Sequence, residues 1–280
     1  MAAPTGATRL AAVIGSPVRH SLSPVLHNAA FEATGLDWVY VALEVAEGRV
    51  PDALAGMRSL GLGGMSVTMP HKEAVAAACD RLSPDAAALG AVNCVVPEGD
   101  ELVGHNTDGA GFVGALAADG VDPAGMACVV LGAGGAARAV ALSLVRAGAA
   151  EVAVVNRTAA RAEQAVALLG GAGRVVDPAA AAEAVAAAGL VVSATSVGMG
   201  DPSPTDLPVD PGALHPGQVV ADIVYRPLET PFLREARERG AAGFNGVPML
   251  VHQAAVAFEP WTGVPAPVTA MAASVTHLLG

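Results

Sequence analysis

Apolar runs of roughly four to eight residues alternate along almost the whole chain with longer stretches in which apolar positions recur every three or four residues. The first kind suits a strand buried on both faces and the second an amphipathic helix, so their alternation predicts a parallel sheet flanked by helices. LAAVIG (10–15) reads as a strand, followed by a helix over 23–35 with Ser23 as N-cap, Pro24 next and Gly35 closing it. WVYVALEV (38–45) and GGMSVTM (63–69) are strands around a helix over 51–61, and HKEAVAAACD (71–80) is a helix with Pro70 in its first turn. AVNCVV (91–96), the turn Glu98-Gly99-Asp100 and ELVGHN (101–106) predict a hairpin, which interrupts the alternation. After a helix over 108–120 it restarts: strand 126–132, helix 135–148, strand 151–157, helices 158–170 and 178–189, strand 190–195. A Pro/Gly/Asp loop spans 200–217, followed by strand 218–225, helix 230–240 and final helices over 246–261 and 267–280. The pattern is that of two α/β halves, joined near residue 106 and again near 245.

Composition narrows the class. With 53% hydrophobic and 15% charged residues in 280, the chain is no disordered polymer and can build two cores. Much of the apolar fraction is alanine, and no window has the uninterrupted apolar length of a membrane span. The start MAAPTGATRL lacks the charged residues and apolar core of a secretory signal, so a cytoplasmic protein is expected, with no membrane partner. Cys79, Cys94 and Cys128 are odd in number and widely spaced, and the seven histidines are equally scattered, so neither a disulfide framework nor a metal site is expected. A net charge of −11, with two Trp and two Tyr, argues against nucleic acid as a partner. An anionic ligand must be drawn by a local positive cluster.

One such cluster follows VVLGAGGAARAVALSLVRAG, which runs strand, glycine-rich turn and helix in the order a dinucleotide pyrophosphate requires. Gly132 and Gly134 allow a tight turn and close backbone approach, Gly135 adds room, and Ala137 is the small residue where helix meets strand. About 20 residues on, where an NAD site carries a carboxylate for the ribose 2′-hydroxyl, the chain has Asn156-Arg157-Thr158, with Arg161 a turn later. Arginine there can grip a 2′-phosphate, and no acid repels it, so NADP(H) is the expected cofactor.

The first half offers polar residues where ligands bind in open α/β sheets, in loops after strands: Ser21 and Ser23 in HSLSP, Thr68 and Lys72 in SVTMPHK, Asn93, and Asn106-Thr107-Asp108. A cation in the first turn of a helix opposes the helix dipole, so Lys72 is mildly unfavourable there unless it serves a ligand. Together these hydroxyls, amide, ammonium and carboxylate suit a small polyhydroxylated acid.

HSLSPVLHN, SVTMPHK, GAVN, HNTDGAGF, GAGGAAR, NRT, TSVGM, DIVYRPLETP and GVPMLVHQAAVAFEPWTG, in this order, make the chain resemble the shikimate dehydrogenases over nearly its whole length. The resemblance implies NADP-dependent interconversion of 3-dehydroshikimate and shikimate. It also implies a substrate-binding domain from 1–105 and 246–280, with a Rossmann-like NADP-binding domain of 106–245 inserted. Matched to the family's motifs, Lys72 and Asp108 are the catalytic pair, and Ser21, Ser23, Thr68, Asn93, Tyr225 and Gln253 contact substrate. Gly132, Ala133, Gly134, Gly135 and Ala136 form the phosphate loop, Asn156, Arg157, Thr158 and Arg161 take the 2′-phosphate, and Met199 and Gly246 line the nicotinamide. Two positions depart from the family's usual asparagine, Ser66 and Ser193, and both keep a small polar group. His71 and His105 flank the catalytic residues and read as structural or rim positions. A dual quinate/shikimate or NAD-using enzyme, a reductase of another cyclic ketone, and a non-catalytic NADP-binding module remain as alternatives, and either a monomer or a homodimer is compatible with the acidic surface.

Overall fold

Two six-stranded sheets organise the protein into two compact units, one comprising residues up to Thr107 with Val251–Leu278, the other Asp108–Leu250. The computed structural model describes residues 3–203 and 205–279. Pro204, inside the loop expected over 200–217, Gly280, the end of the last expected helix, and the first two residues of the chain lie outside the described residues.

The first unit runs β1 (Arg9–Gly15), α1 (Ser23–Thr34), β2 (Trp38–Glu44), α2 (Val50–Ser59), β3 (Gly64–Val67), α3 (Lys72–Ala78), β4 (Arg81–Leu82), α4 (Pro84–Leu89), β5 (Cys94–Glu98) and β6 (Glu101–His105). Its strand order is β2-β1-β3-β5-β6-β4. β1 is parallel to both neighbours, and the expected hairpin β5–β6 lies antiparallel beside β3, making a mixed sheet. The second unit runs α5 (Asp108–Ala118), β7 (Ala127–Leu131), α6 (Gly135–Arg146), β8 (Glu151–Val155), α7 (Ala159–Ala167), β9 (Gly173–Val176), α8 (Ala181–Ala187), β10 (Leu190–Ser193), β11 (Val219–Asp222), α9 (Pro231–Glu238) and β12 (Ala242–Phe244). Every strand pair there is parallel, in the order β12-β11-β10-β7-β8-β9, which is the doubly wound arrangement of a dinucleotide-binding fold with its crevice at the switch between β7 and β10. α10 (Val247–Thr262), which from Val251 belongs to the first unit, and α11 (Val268–Leu279) complete the chain.

The expected strands in the second unit are continuous apolar runs because helices cover both faces; β10 is buried throughout. Several boundaries differ from expectation for identifiable reasons. Ser23 is the first residue of α1 and does not cap it; its own N–H donates to Ser21 Oγ at 3.3 Å. Gly35 does close that helix, at φ 68°. Pro70 stands outside α3, since the His71 N–H turns back onto the Thr68 carbonyl at 3.1 Å and the helix starts at Lys72. The helix expected over 178–189 begins as a 3-10 turn, Pro178–Ala180, before α8. α4, β4, β9 and β12 were not expected: the strands are only two to four residues long and carry exposed or small side chains. α4 did carry a signal, Ser83 before Pro84 and Gly90 after Leu89, with the Ser83 hydroxyl accepting from the Ala86 N–H at 3.3 Å.

The core of the first unit is built around an aromatic nest. Asn28 clamps α1 to β2 by exchanging two hydrogen bonds with the Tyr40 backbone, at 2.8 and 2.9 Å. The turn of helix next to it buries His27, whose ring stacks on Tyr40 at 4.4 Å and meets Trp261 at 5.0 Å, with Phe31 and Phe258 beyond. Trp261 in turn donates to the Val95 carbonyl at 3.0 Å and lies over Gly64, where any Cβ would collide with its ring, so α10 is seated directly on the sheet. Neither ring nitrogen of His27 has a hydrogen-bond partner, and burial pushes its pKa down to about 3.

This burial makes acid stability testable. Between about pH 6.5 and 3 the unfolded chain protonates His27 and the folded chain does not, so stability is complete above that window and falls as pH is lowered through it. His27→Phe, which loses no hydrogen bond, is expected to flatten the decline in denaturant midpoint over this range. The midpoints are read by tryptophan fluorescence, since both tryptophans, Trp38 and Trp261, lie in the first unit. An unchanged slope would refute the assignment.

Candidate active site

At the end of β7 the chain must turn sharply and release backbone N–H groups toward a ligand. Gly132 adopts φ 113°, and a Cβ there would sit 2.7 Å from the Ala194 carbonyl oxygen, so only glycine satisfies both the conformation and the close approach. Its N–H donates to Val155 O at 2.8 Å, which holds the turn against the end of β8. Ala133 is buried, Gly134 is the N-cap of α6, and both Gly134 and Gly135 face open space. Gly135 and Ala136 form the first helical turn, whose unpaired N–H groups and positive dipole end suit a pyrophosphate.

Across the switch point, Asn156 follows β8 and donates through Nδ2 to the Thr158 carbonyl at 3.0 Å, shaping the turn that exposes Arg157. Thr158 is the N-cap of α7, without a side-chain capping bond, and Arg161 is exposed one turn on. A cavity of about 840 Å³ gathers Gly132, Ala133, Gly134, Asn156, Arg157 and Arg161, with walls from Ala194–Val197 after β10 and from residues 207–210. The acidic chain therefore concentrates two guanidinium groups beside a helix N-terminus, a donor set that fits a dinucleotide carrying a 2′-phosphate. Met199 and Gly246 do not line this cavity. Met199 is 62% exposed in the turn after β10, and Gly246 packs so tightly that a Cβ would lie 2.0 Å from the Ile223 carbonyl oxygen.

In the first unit the sequence-derived polar residues converge at one edge of the sheet, where β1, β3 and β6 end and β5 begins. The Ser21 hydroxyl donates to Ser23 Oγ at 3.2 Å after β1. Thr68 follows β3, its N–H donating to the Ile14 carbonyl at 2.9 Å, and the half-buried Lys72 opens α3, its own carbonyl fixed by the Val92 N–H at 2.9 Å. Buried Asn93 stands at the head of β5, donating to Thr107 Oγ1 at 3.0 Å and accepting from the Thr107 N–H at 2.8 Å. The next residue, buried Asp108, is the first of α5 and of the second unit. Gln253 lies half-buried in the second turn of α10, and Tyr225 half-buried in the loop after β11. His71 is buried, with Nε2 2.7 Å from the Val45 carbonyl oxygen. His105 is half-buried on β6, and burial lowers its pKa. Thr107, one of the polar cluster Asn106-Thr107-Asp108, is clamped by the Asn93 amide; Asp222 at the end of β11 and Thr230, a buried pair, were not singled out from the sequence, although the DIVYRPLET motif contains them.

Among the described residues no group of three or more His, Cys, Asp or Glu could hold a metal ion, and no helix is long and apolar enough to cross a membrane.

A doubly wound unit with a glycine turn, a helix N-terminus and paired arginines, joined to a second α/β unit bearing an ammonium, hydroxyls and amides, defines an NADP-dependent oxidoreductase of small polar substrates. Models of three families match: the shikimate dehydrogenase substrate binding domain over residues 13–95, shikimate/quinate 5-dehydrogenase over 116–199, and the shikimate 5′-dehydrogenase C-terminal domain over 246–276. The NADP(+) shikimate dehydrogenase of Moorella thermoacetica is 47% identical over 280 residues, covering 98% of this chain and 94% of that one. The shikimate 5-dehydrogenase of Thermus thermophilus, solved with NADP(H) and shikimate, superposes with TM-score 0.88 at 40% identity over 96% of this chain and 99% of that one. The quinate dehydrogenase of Corynebacterium glutamicum, solved with NAD, gives TM-score 0.89 at 32% identity over 96% and 99%. The chain belongs to the shikimate dehydrogenase family.

The turn at Gly132 yields a direct test. Gly132→Ala forces an L side chain into positive φ, at about 1–2 kcal/mol, and drives a methyl into the Ala194 carbonyl. NADP(H) affinity measured by calorimetry is expected to fall about tenfold or more, with a lower melting temperature; unchanged values in both would show that the turn does not shape the cofactor site.

Proposed function

We propose that the protein catalyses the reversible NADPH-dependent reduction of 3-dehydroshikimate to shikimate in aromatic amino-acid biosynthesis, acting in the cytoplasm as a monomer or homodimer without nucleic-acid or membrane partners. In this reading residues 1–105 and 246–280 bind the substrate and 106–245 bind NADP(H). The observation that carries the reading is the gathering of Ser21, Ser23, Thr68, Lys72 and Asn93 at one edge of the first sheet.

Bound NADPH supplies a hydride to the ring carbonyl carbon. The carbonyl oxygen then becomes negative and must gain a proton. Lys72 meets both needs: its ammonium stabilises the developing charge and donates the proton. Its backbone position at the start of α3 is fixed by Val92, and an ammonium there is electrostatically unfavourable to the helix, which accords with a role toward ligand. Asp108, the other member of the catalytic pair in this reading, relays the proton. The Ser21 and Ser23 hydroxyls, Thr68, Asn93, Tyr225 and Gln253 bind the substrate carboxylate and ring hydroxyls, while the Asn93–Thr107 hydrogen bonds keep the amide in one orientation. Arg157 and Arg161 take the 2′-phosphate, and Met199 and Gly246 line the nicotinamide.

The second reading, a quinate-oxidising enzyme using NAD, draws support from the Corynebacterium glutamicum neighbour. Initial rates of reduced cofactor formation with shikimate or quinate, each with NADP or NAD, separate the two. Turnover of shikimate with NADP alone is expected; comparable rates with quinate or NAD would transfer the protein to the second reading. Lys72→Ala is expected to lose on the order of 10²–10⁴ in kcat, and near-normal turnover would remove Lys72 from the mechanism. Arg157→Ala is expected to lower kcat/KM for NADP by about 10–100-fold, the worth of a charge-assisted hydrogen bond, and to leave NAD values unchanged; an equal loss with both cofactors would place Arg157 elsewhere.

A further inference from the structure

One buried carboxylate in the second unit has no role in the reaction as described, yet three segments assigned to ligand binding are tied to the loop that it holds. Asp222 ends β11 and is 1% exposed. One carboxylate oxygen accepts from the Val224 N–H at 3.1 Å and the other from the Thr230 hydroxyl at 2.8 Å. These two bonds close the loop 223–230 at both ends. Its first residue is held as well, the Ile223 N–H donating to Ser193 O at 3.0 Å.

That loop carries Tyr225, and two further segments lean on it. The Gly246 N–H donates to Val224 O at 2.9 Å, Asn245 Nδ2 donates to Leu228 O at 2.9 Å, and a Cβ on Gly246 would strike Ile223 O. On the other side the Gly200 N–H donates to Arg226 O at 3.0 Å, and a Cβ on Gly198 would lie 3.3 Å from Thr230 Cβ, so the turn holding Met199 is braced against the same loop. We propose that Asp222 is a positioning residue: through Thr230 and Val224 it sets the loop 223–230, and thereby places Tyr225, Met199 and Gly246 around the nicotinamide and the reacting carbon. The proposal rests on the reading of these three residues given above.

A purely structural role accounts poorly for a carboxylate at this point. No cation among the described residues pairs with it, and burial pushes its pKa up to about 6 despite the hydrogen bonds from Thr230 and Val224. A charged group in such surroundings lowers stability at neutral pH, and it is the carboxylate's two accepting oxygens, where an amide has one, that let it take both donors of the loop. Stability given up at one position in favour of a fixed loop geometry is a pattern of functional sites.

Asp222→Asn, Thr230→Val and Thr230→Ser provide the test, assayed near pH 8 where Asp222 is ionised. For Asp222→Asn and Thr230→Val, kcat is expected to fall by about 10–100-fold, as for a catalytic geometry displaced by about an ångström. NADP affinity, which the separate cavity at Gly132 and Arg157 governs, is expected to stay within about twofold by the same rationale. The melting temperature of Asp222→Asn is expected to fall only slightly, since one of the two bonds is kept by the amide oxygen, and Thr230→Ser, which keeps the hydroxyl, is expected to retain kcat. Emission from bound NADPH reports the nicotinamide's surroundings whatever the substrate, and is expected to shift in Asp222→Asn and Thr230→Val. Unchanged kcat and emission in folded Asp222→Asn, or losses of activity that only follow losses of melting temperature, would overturn the proposal. Should Asp222→Asn not fold, Thr230→Val against Thr230→Ser decides by the same readouts. A wild-type protein that ignores shikimate refutes the functional reading alone, because the emission shift still tests the positioning.

Discussion

A parallel sheet covered on both faces has no room for polar chemistry along its strands. In the second unit β7 and β8 run buried and apolar to their last residues and β10 to Val192 before the buried Ser193, so the groups able to meet a ligand come from the turns at their carboxyl ends. The strand order then concentrates those turns: the connections from β7 and β10 leave in opposite directions, and the gap between them is where Gly132, Asn156, Arg157 and Thr195 line one cavity. The first unit obeys the same rule with a mixed sheet. Its hairpin reverses β5, so that Asn93 heads a strand while Thr68 and Thr107 follow strands, and all three come to one edge.

Two buried ionisable groups show how differently the same desolvation can be used. His27 is kept neutral inside an aromatic nest, where it behaves as a flat ring that stacks on Tyr40 and Trp261. Nothing there requires a charge, and the nest serves to seat α10 on the first sheet. Asp222 has equally little contact with water, but its two oxygens are both engaged by donors from the loop that it closes. Burial raises its pKa only to about 6, so it is a charged acceptor at neutral pH, closing both ends of a loop that bonds to Ser193, Gly200, Asn245 and Gly246 hold elsewhere. One group stabilises packing and the other fixes geometry.

The strong period of the apolar pattern made the long elements legible, since a helix such as α6 or a strand such as β7 repeats its signal over several turns or is apolar throughout. β9 and β12 escaped because four and three residues of mixed burial do not establish a period; they are strands because a neighbouring strand offers them hydrogen bonds. Ser23 and Pro70 illustrate a different limit. Each is a residue type favoured at a helix start, and each stands one or two positions from the place expected, because long-range backbone bonds such as Thr68 N–H to Ile14 O set where the turn begins.

What the sequence determined by itself was therefore local and chemical: the two α/β halves, the glycine turn with its helix, the absence of an acid and presence of Arg157 after β8, and the ordered motifs that mark the family. These are carried by residues close together in the chain, whose conformational preferences and charges act wherever they are placed. Tertiary structure alone decided that Gly246 must lack a side chain because Ile223 passes beside it, that Asn93 is locked by Thr107, and that Asp222 binds both ends of a loop on which Met199 and Gly246 lean. Such relations join residues distant in sequence, and they exist only once burial has removed the water that would otherwise satisfy each group.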